Sequence, residues 1–458
     1  MLPIEYLQHM EELLGGEFGA YLRAMDEPSH AGIRTNRLKI TPGELSRLIE
    51  KEPEGVPWCA DGFYMPDGFR AGKSALYHAG LYYIQEPSAM SAAQALGVSP
   101  GERVLDLCAA PGGKSTQLAG ALGGEGLLIC NDVSRSRLKA LVKNLELAGV
   151  RNAVVTCEEP RKLARAFPGF FDKILIDAPC SGEGMFRKDR DVLKAYSAQR
   201  IEFFARTSRD LLESAALMLS PGGRILFSTC TFNKTENEDS VDGFLASNRD
   251  FSPAEIRLKG DDGFAKGFGG NGENYRRLFP HRVHGEGHFL AVLEKRGNSS
   301  QNENNVSVSM PKSLKRAARS QQAVFRDFAA YALRDDFLID AELYVMGDTL
   351  YTLPPGLPNL DGIRLVKTGL RLGELRQSRF EPSQALAMAL TCRDVKQVAD
   401  FPHTSAEVVK YLKGETLEMA PGSQDGWALV CTEGYPLGWG KVLRGILKNK
   451  YNRNWLMD

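Results

Sequence analysis

The sequence predicts an α/β protein organised around a doubly wound parallel sheet, on three observations. From residue 101 to about 296, short apolar runs alternate with helical stretches, the pattern of parallel strands joined by crossover helices. A Gly-rich turn, "CAAPGGKS" (108 to 115), follows the first of these runs and opens a helix. Acidic residues and cysteines stand just past the ends of later runs, at the edge where open α/β sheets bind ligands.

Taken in order, residues 1 to about 30 read as short helices, with Ile4, Leu7, Met10 and Leu13/Leu14 at helical spacing. "RTNRLKI" (34 to 40) and "GLYYIQEPSAM" (80 to 90) bracket a Gly/Pro-broken region, so 1–90 is expected to be a small α/β subdomain. Strands of the main domain, 91–296, are expected at Arg103–Leu107, Leu127–Asn131, Ala153–Cys157, Lys173–Asp177, Arg224–Thr229 and His288–Leu293. "GNSSQNENNVSVSMP" (297–311) reads as a polar linker. Two small domains are expected beyond it, at 312–390 and 391–458.

The chain of 458 residues is 43% hydrophobic, long enough for two to four domains. Lys+Arg and Asp+Glu are equal at 57 each, so net charge points to no partner. Neither a basic leader nor a membrane-length apolar run is visible, and a soluble, cytoplasmic, monomeric protein is expected. Eight scattered cysteines with no C-x-x-C pair suggest free thiols, with neither a disulfide framework nor a metal site.

The turn "GGKST" resembles the end of a phosphate-binding loop. Counting back from Gly113-Lys114-Ser115, however, Cys108 occupies the position of the first glycine, which wraps backbone N–H groups around a phosphate. An ATPase is therefore disfavoured. The alternative is a turn in which Gly112 and Gly113 let the backbone approach a ligand that faces a helix N-terminus. Asp132, about twenty residues on at the end of the second strand, suits a ribose diol. Ribose recognition without a G-x-G-x-x-G fingerprint favours S-adenosylmethionine; glycines that merely end a strand and an Asp that caps a helix are the plainer alternative.

Strand four ends in "DAPCSGEG" and strand five in "STCTFNKTENE", each placing a cysteine, Cys180 or Cys230, just past the carboxyl edge. A free cysteine is more often a small buried hydrophobe. Two of them beside an S-adenosylmethionine pocket suggest attack of a thiolate on carbon 6 of a pyrimidine, which makes carbon 5 nucleophilic, with a second thiol assisting the later release.

"DLCAAPGGKS", "NDVS", "DAPCSGEG", "STCT" with "ENE", and "GEGHFLAVL" (285 to 293), with "RTNRLK" and "YYIQEPSA" before them, together resemble the Nop/Sun family of RNA cytosine carbon-5 methyltransferases over roughly residues 30 to 296. The resemblance implies a Rossmann-like class I methyltransferase domain. Cys230 then corresponds to the nucleophile and Cys180 to the residue that assists release. Cofactor contacts carry over to Cys108, Ala109, Ala110, Pro111, Gly112, Gly113 and Lys114, to Asp132 and to Asp177, which is also expected to sense the cytosine edge. An acidic contact near the adenine falls on Glu158 or Glu159, with Glu159 preferred.

The C-terminal extension resembles that of RsmF-type bacterial rRNA methyltransferases, which implies a PUA-like RNA-binding domain. Lys312, Lys315, Arg316 and Arg319 are expected on one helical face, and Lys441 to Arg453 carries five basic residues and no acidic one, interleaved with Trp439, Tyr451 and Trp455. RNA phosphates are the expected partner. The implied function is S-adenosylmethionine-dependent 5-methylcytosine formation in small-subunit (16S) rRNA. Transfer RNA as substrate, or a catalytically idle RNA-binding assembly factor, are the alternatives.

Overall fold

The computed structural model describes residues 2–49, 52–297, 310–334, 341–377 and 379–457. The expected linker lies almost wholly outside them. The N-terminal region begins with helices Ile4–Leu14 and Phe18–Asp26. Of the apolar stripe read there, Ile4 is 74% exposed and Met10 is fully buried; Tyr6, outside that stripe, is fully buried too. A three-stranded antiparallel sheet follows, with β1 (Gly32–Thr35) between β2 (Gly62–Tyr64) and β3 (Tyr82–Gln85).

The main domain is built on β4 (Arg103–Asp106), β5 (Leu127–Asn131), β6 (Ala153–Thr156), β7 (Phe171–Asp177) and β8 (Leu219–Thr229), parallel in the order β6-β5-β4-β7-β8. β9 (Phe251–Ala254), β10 (Ala265–Lys266), β11 (Arg276–Leu278) and β12 (His288–Lys295) extend it, with β12 antiparallel to β8. β4, β5 and β6 are almost wholly buried because helices cover both faces of the sheet, so their sequences are continuous apolar runs rather than alternating ones. Winding reverses between β4 and β7, and the crevice beyond their carboxyl ends is where such sheets bind ligands. Because β12 runs the other way, its first residue, His288, reaches the same edge.

The C-terminal half carries two further sheets. The first contains β13 (Lys315–Arg316), β14 (Leu343–Met346), β15 (Thr349–Thr352), β17 (Leu370–Arg376) and β18 (Arg379–Pro382). The intervening β16 (Leu365–Thr368) leaves that sheet and pairs antiparallel with β6, becoming the edge of the main sheet. The last sheet has the order β19 (Val398–Phe401), β21 (Gly426–Thr432), β22 (Tyr435–Leu443), β23 (Ile446–Asn449), β20 (Leu417–Glu418).

Two sequence expectations fail here. Lys315 and Arg316 lie in a strand and the helix begins only at Arg319, so Lys312, Lys315, Arg316 and Arg319 do not share a helical face. Leu314 and Ala317 turn into the core three residues apart, a spacing this turn-and-strand segment shares with a helix. Trp439, Tyr451 and Trp455 are 1%, 5% and 5% exposed, so they are core side chains and offer no stacking faces. The basic residues of the tail remain exposed on the β22–β23 hairpin and just beyond it. Lys441 and Lys448 are direct cross-strand partners, a like-charge juxtaposition that weakens the hairpin by itself.

Arg34 of β1 shows what the N-terminal subdomain does for the main one. Its buried guanidinium donates to the Gly113 carbonyl (2.8 Å) and Thr116 Oγ1 (2.7 Å) in the first turn of the Gly113–Leu122 helix, and also to Gln85. Arg34→Ala strands these acceptors and should lower the unfolding free energy by about 2–4 kcal/mol. The midpoint of urea unfolding measures this, and Arg34→Lys, which lacks the planar fork, should recover less than half of it.

Candidate active site

The 108–113 turn joins β4 to the Gly113–Leu122 helix. Gly112 has φ +111°, a conformation side chains avoid, and an added Cβ would lie 3.1 Å from Leu141. The turn is held from three sides: Ala109 N–H donates to the Asn131 carbonyl (2.8 Å), Asn144 Nδ2 to the Pro111 carbonyl (2.8 Å), and Ala110 N–H to Asp132 Oδ2 (3.2 Å). Burial pushes the Cys108 thiol far above its ordinary range, so it is an inert wall of the turn.

Asp132, past the end of β5, is 3% exposed. Besides Ala110 it accepts from Ser134 N–H (2.9 Å) and pairs with Arg137 (3.2 Å). Of about four acceptor sites on a carboxylate these contacts use three. One remains.

Lys114 and Asp177 face each other across the switch point with Nζ and Oδ2 2.7 Å apart, Lys114 being 11% and Asp177 34% exposed. Burial opposes both charges, but each stabilises the other: the Lys114 pKa lies above the ordinary lysine value and that of Asp177 below the ordinary aspartate value. Ser228 Oγ also donates to Asp177 (3.0 Å). On the far side, Lys114 Nζ lies 3.5 Å from His288 Nε2, and His288 Nδ1 lies 3.1 Å from Ser88 Oγ, which is bonded to Glu86. Burial, then the Lys114 charge, lowers the His288 pKa to about 4, leaving a neutral imidazole. With Ser88 donating to Glu86, Nδ1 carries the ring proton and Nε2 accepts from Lys114.

Cys180 Sγ and Cys230 Sγ, just past β7 and β8, are 3.4 Å apart. Their shared hydrogen bond, followed by burial, pushes the Cys180 thiol far up. The two loops are latched together. Ser181 donates its N–H (2.8 Å) and its hydroxyl (2.5 Å) to Glu236, its oxygen lies 2.7 Å from Thr231 Oγ1, Gly184 N–H donates to the Cys230 carbonyl (2.9 Å), and Phe232 N–H to Glu183 (2.9 Å). Glu183 and Glu236 are fully buried, which raises both pKa values to about 7.

The crevice therefore gathers Lys114, Asp177, Cys180 and Cys230. Asp132 and the turn stand at its β4–β5 side, with 158–159 past β6. Glu158 is buried and committed, accepting from Lys162 (2.8 Å) and from Arg364 N–H (2.7 Å); Glu159 is exposed at the start of the Pro160–Ala166 helix. Sequence reasoning missed Asp106, Glu86, Ser88, His288, Glu183 and Glu236. All six lie inside stretches that the family resemblance had already quoted as motifs, where only tertiary contacts assign them tasks. Among the described residues no group of three or more His, Cys, Asp or Glu side chains could hold a metal, and no helix is long and apolar enough to cross a membrane.

Comparison with known proteins shows the family. Residues 93–294 match the family described as 16S rRNA methyltransferase RsmB/F. Residues 2–87 match the N-terminal domain of 16S rRNA methyltransferase RsmF, 327–390 the first C-terminal domain of RsmF rRNA methyltransferase, and 399–457 the methyltransferase RsmF PUA domain. Ribosomal RNA small subunit methyltransferase F of Erwinia tasmaniensis is 32% identical over 100% of this chain and 97% of its own length. The protein of that name from Escherichia coli O9:H4 is also 32% identical, over 100% and 97%. A solved methyltransferase homologue from Pyrococcus horikoshii, 29% identical, covers 62% of this chain and 93% of its own with a TM-score of 0.56. Matched along its whole length by these relatives and in each of its parts by these models, the chain belongs to the RsmB/F family of 16S rRNA methyltransferases.

Proposed function

We propose that this protein uses S-adenosylmethionine to methylate carbon 5 of cytosine in small-subunit rRNA, through a covalent bond between Cys230 and carbon 6 of the base. The observation that carries this reading is the pair of thiols 3.4 Å apart beside the Lys114–Asp177 ion pair. The cofactor, when bound, supplies an electrophilic methyl group. The residues present suit it: Asp132 has acceptor capacity for a ribose hydroxyl, Gly112 leaves the turn without a side chain, and Asp106 Oδ1 is buried with no hydrogen-bond partner. Burial, with Asp177 and Asp132 nearby, holds the Asp106 carboxyl at about 7, and a cationic ligand would favour its ionised form. Glu159 is the acidic side chain left free for the adenine.

Cys230 attacks carbon 6 perpendicular to the ring, so the base must leave its stack. The attack turns carbon 5 into an enamine-type nucleophile. Asp177, one-third exposed, faces the crevice where it can accept from the cytosine edge. After carbon 5 is methylated, a base takes its proton and the electron pair left behind expels the Cys230 thiolate as the C6–S bond breaks; Cys180 is placed to act in this release. Residues 312–458 bind RNA through the exposed basic hairpin, and the molecule acts as a monomer in the cytoplasm.

Three measurements test this. Asp132→Ala should weaken S-adenosylmethionine binding by roughly 1.5–3 kcal/mol, the value of charge-assisted hydrogen bonds, with an unchanged fold; equal affinity by calorimetry refutes the ribose assignment. Cys230→Ala should abolish turnover and form no adduct. Cys180→Ala should accumulate methylated RNA bonded to Cys230, seen as a band of reduced mobility in denaturing electrophoresis, and the double variant should lack it; normal turnover by Cys180→Ala contradicts its role. Reversing the charges of Lys441, Arg444 and Lys448 should make the salt dependence of RNA binding shallower while cofactor affinity stays constant, because fewer counterions are released. An identical slope removes the hairpin from the RNA interface.

A further inference from the structure

Beside the thiol crevice, two histidines from distant parts of the chain lie face to face. The rings of His30 and His284 have centroids 4.8 Å apart and planes within 1° of parallel. Tyr64 of β2 meets both edge-on, at 6.4 and 5.8 Å. His284 is exposed, His30 and Tyr64 are half-buried behind it, and among the described residues neither imidazole has a hydrogen-bond partner. Burial and the neighbouring His284 lower the His30 pKa, so the stack is not one of two cations.

The stack is held by its backbone. Lys188 Nζ donates to the His30 carbonyl (3.0 Å), Arg187 Nη2 to the Gly285 carbonyl (3.2 Å), and Gly285 N–H to the Val283 carbonyl (2.9 Å). Gly285 presses on the Glu86–Ser88 turn so closely that an added Cβ would lie 3.0 Å from Ser88 and 3.1 Å from Glu86. Next along the chain, Glu286 takes Arg187 (2.8 Å), Gly287 lies against Gly184, and His288 contacts Lys114. Four residues of extended chain span at most about 14 Å, so the exposed ring stands within one or two nucleotides of the reacting groups.

We propose that His284, backed by His30 and edged by Tyr64, is a stacking platform for an RNA nucleobase that flanks the target cytosine. This rests on the RNA methylation proposed above. A base drawn out of its stack leaves its neighbours unsupported, and an aromatic face with free ring nitrogens offers any of them a replacement that tolerates different sequences. Lys188, bonded to the His30 carbonyl and partly exposed, places a cation beside the stack for the adjoining backbone, whereas Arg187 is buried against Glu286.

The test compares wild type with His284→Ala and His284→Phe, using small-subunit rRNA from cells that lack the enzyme, both in equilibrium binding and in turnover. His284→Ala should raise the RNA Kd and KM about tenfold, as expected for loss of one base–aromatic stack, and leave kcat at saturating RNA, cofactor affinity and thermal stability unchanged. His284→Phe, which keeps the face and loses the nitrogens, should return Kd to within about threefold of wild type. Unchanged Kd in His284→Ala, or a His284→Phe no better than alanine, overturns the platform. An effect seen with assembled subunits and absent with naked rRNA means a protein contact and also overturns it. Wild-type protein that binds rRNA through His284 yet transfers no methyl group to it leaves the platform standing and refutes the methylation reading instead.

Discussion

The ion pair between Lys114 and Asp177 is the contact on which the arrangement of the site depends. Both groups lose hydration where they sit, and the charge of each is sustained by the other. Lys114 belongs to the first turn of the helix after β4 and Asp177 ends β7, so the pair bridges the strands between which the winding reverses. From it a line of hydrogen bonds runs one way through Ser228 into β8 and the other way through His288 of β12 to Ser88 and Glu86 of the N-terminal subdomain. Four elements and two domains thus meet at one ammonium group. A neutral His288 is part of this, because an imidazolium beside Lys114 would place two cations in contact.

The thiols are set by a second, acidic network whose cost is visible. Burial raises Glu183 and Glu236 to about 7, whereas in the unfolded chain they return to ordinary carboxylate values. The folded state therefore binds more protons than the unfolded state between the ordinary value and about pH 7, and across that window this pair makes stability fall as pH rises. Above it the penalty is present in full. In return, carboxylates reach the backbone and hydroxyl groups next to Cys180 and Cys230 from within the fold, and the sulfur atoms stay in contact without help from a ligand. Groups held away from their preferred state are expected at a functional site rather than in a stability core.

The main sheet was legible because parallel strands buried on both faces are continuous apolar runs. All six expected strands form, and the residues expected at their ends stand at one edge. What failed depends on distant partners. Leu314 and Ala317 have helical spacing, yet the chain there extends to pair with β14. Trp439, Tyr451 and Trp455 read equally well as stacking faces or as core until the packing is known; Trp439 meets Phe328 and Trp427 at 5.9 and 6.2 Å in a core shared by the two C-terminal sheets. Glu158 and Glu159 are adjacent and alike in sequence. They are separated by an amide at Arg364, 206 residues away, that engages only the first.

That last contact also bears on how the C-terminal half can act. Were it a module on a flexible tether, its grip on RNA would raise only the local concentration of substrate. Instead β16 lies in the main sheet against β6, and Leu357, Leu360 and Ile363 are buried with Phe167 and Phe171 in the core of the main domain. Glu158, just past β6 beside the expected adenine position, is bonded to the same segment. A surface fixed in this way to the catalytic sheet stands at a set distance and orientation from the thiols. On the function proposed above, phosphate contacts that carry no sequence information can then still choose the target base, by determining which part of a folded RNA reaches the crevice. On that reading, selection by register rather than by affinity follows from the β6–β16 pairing.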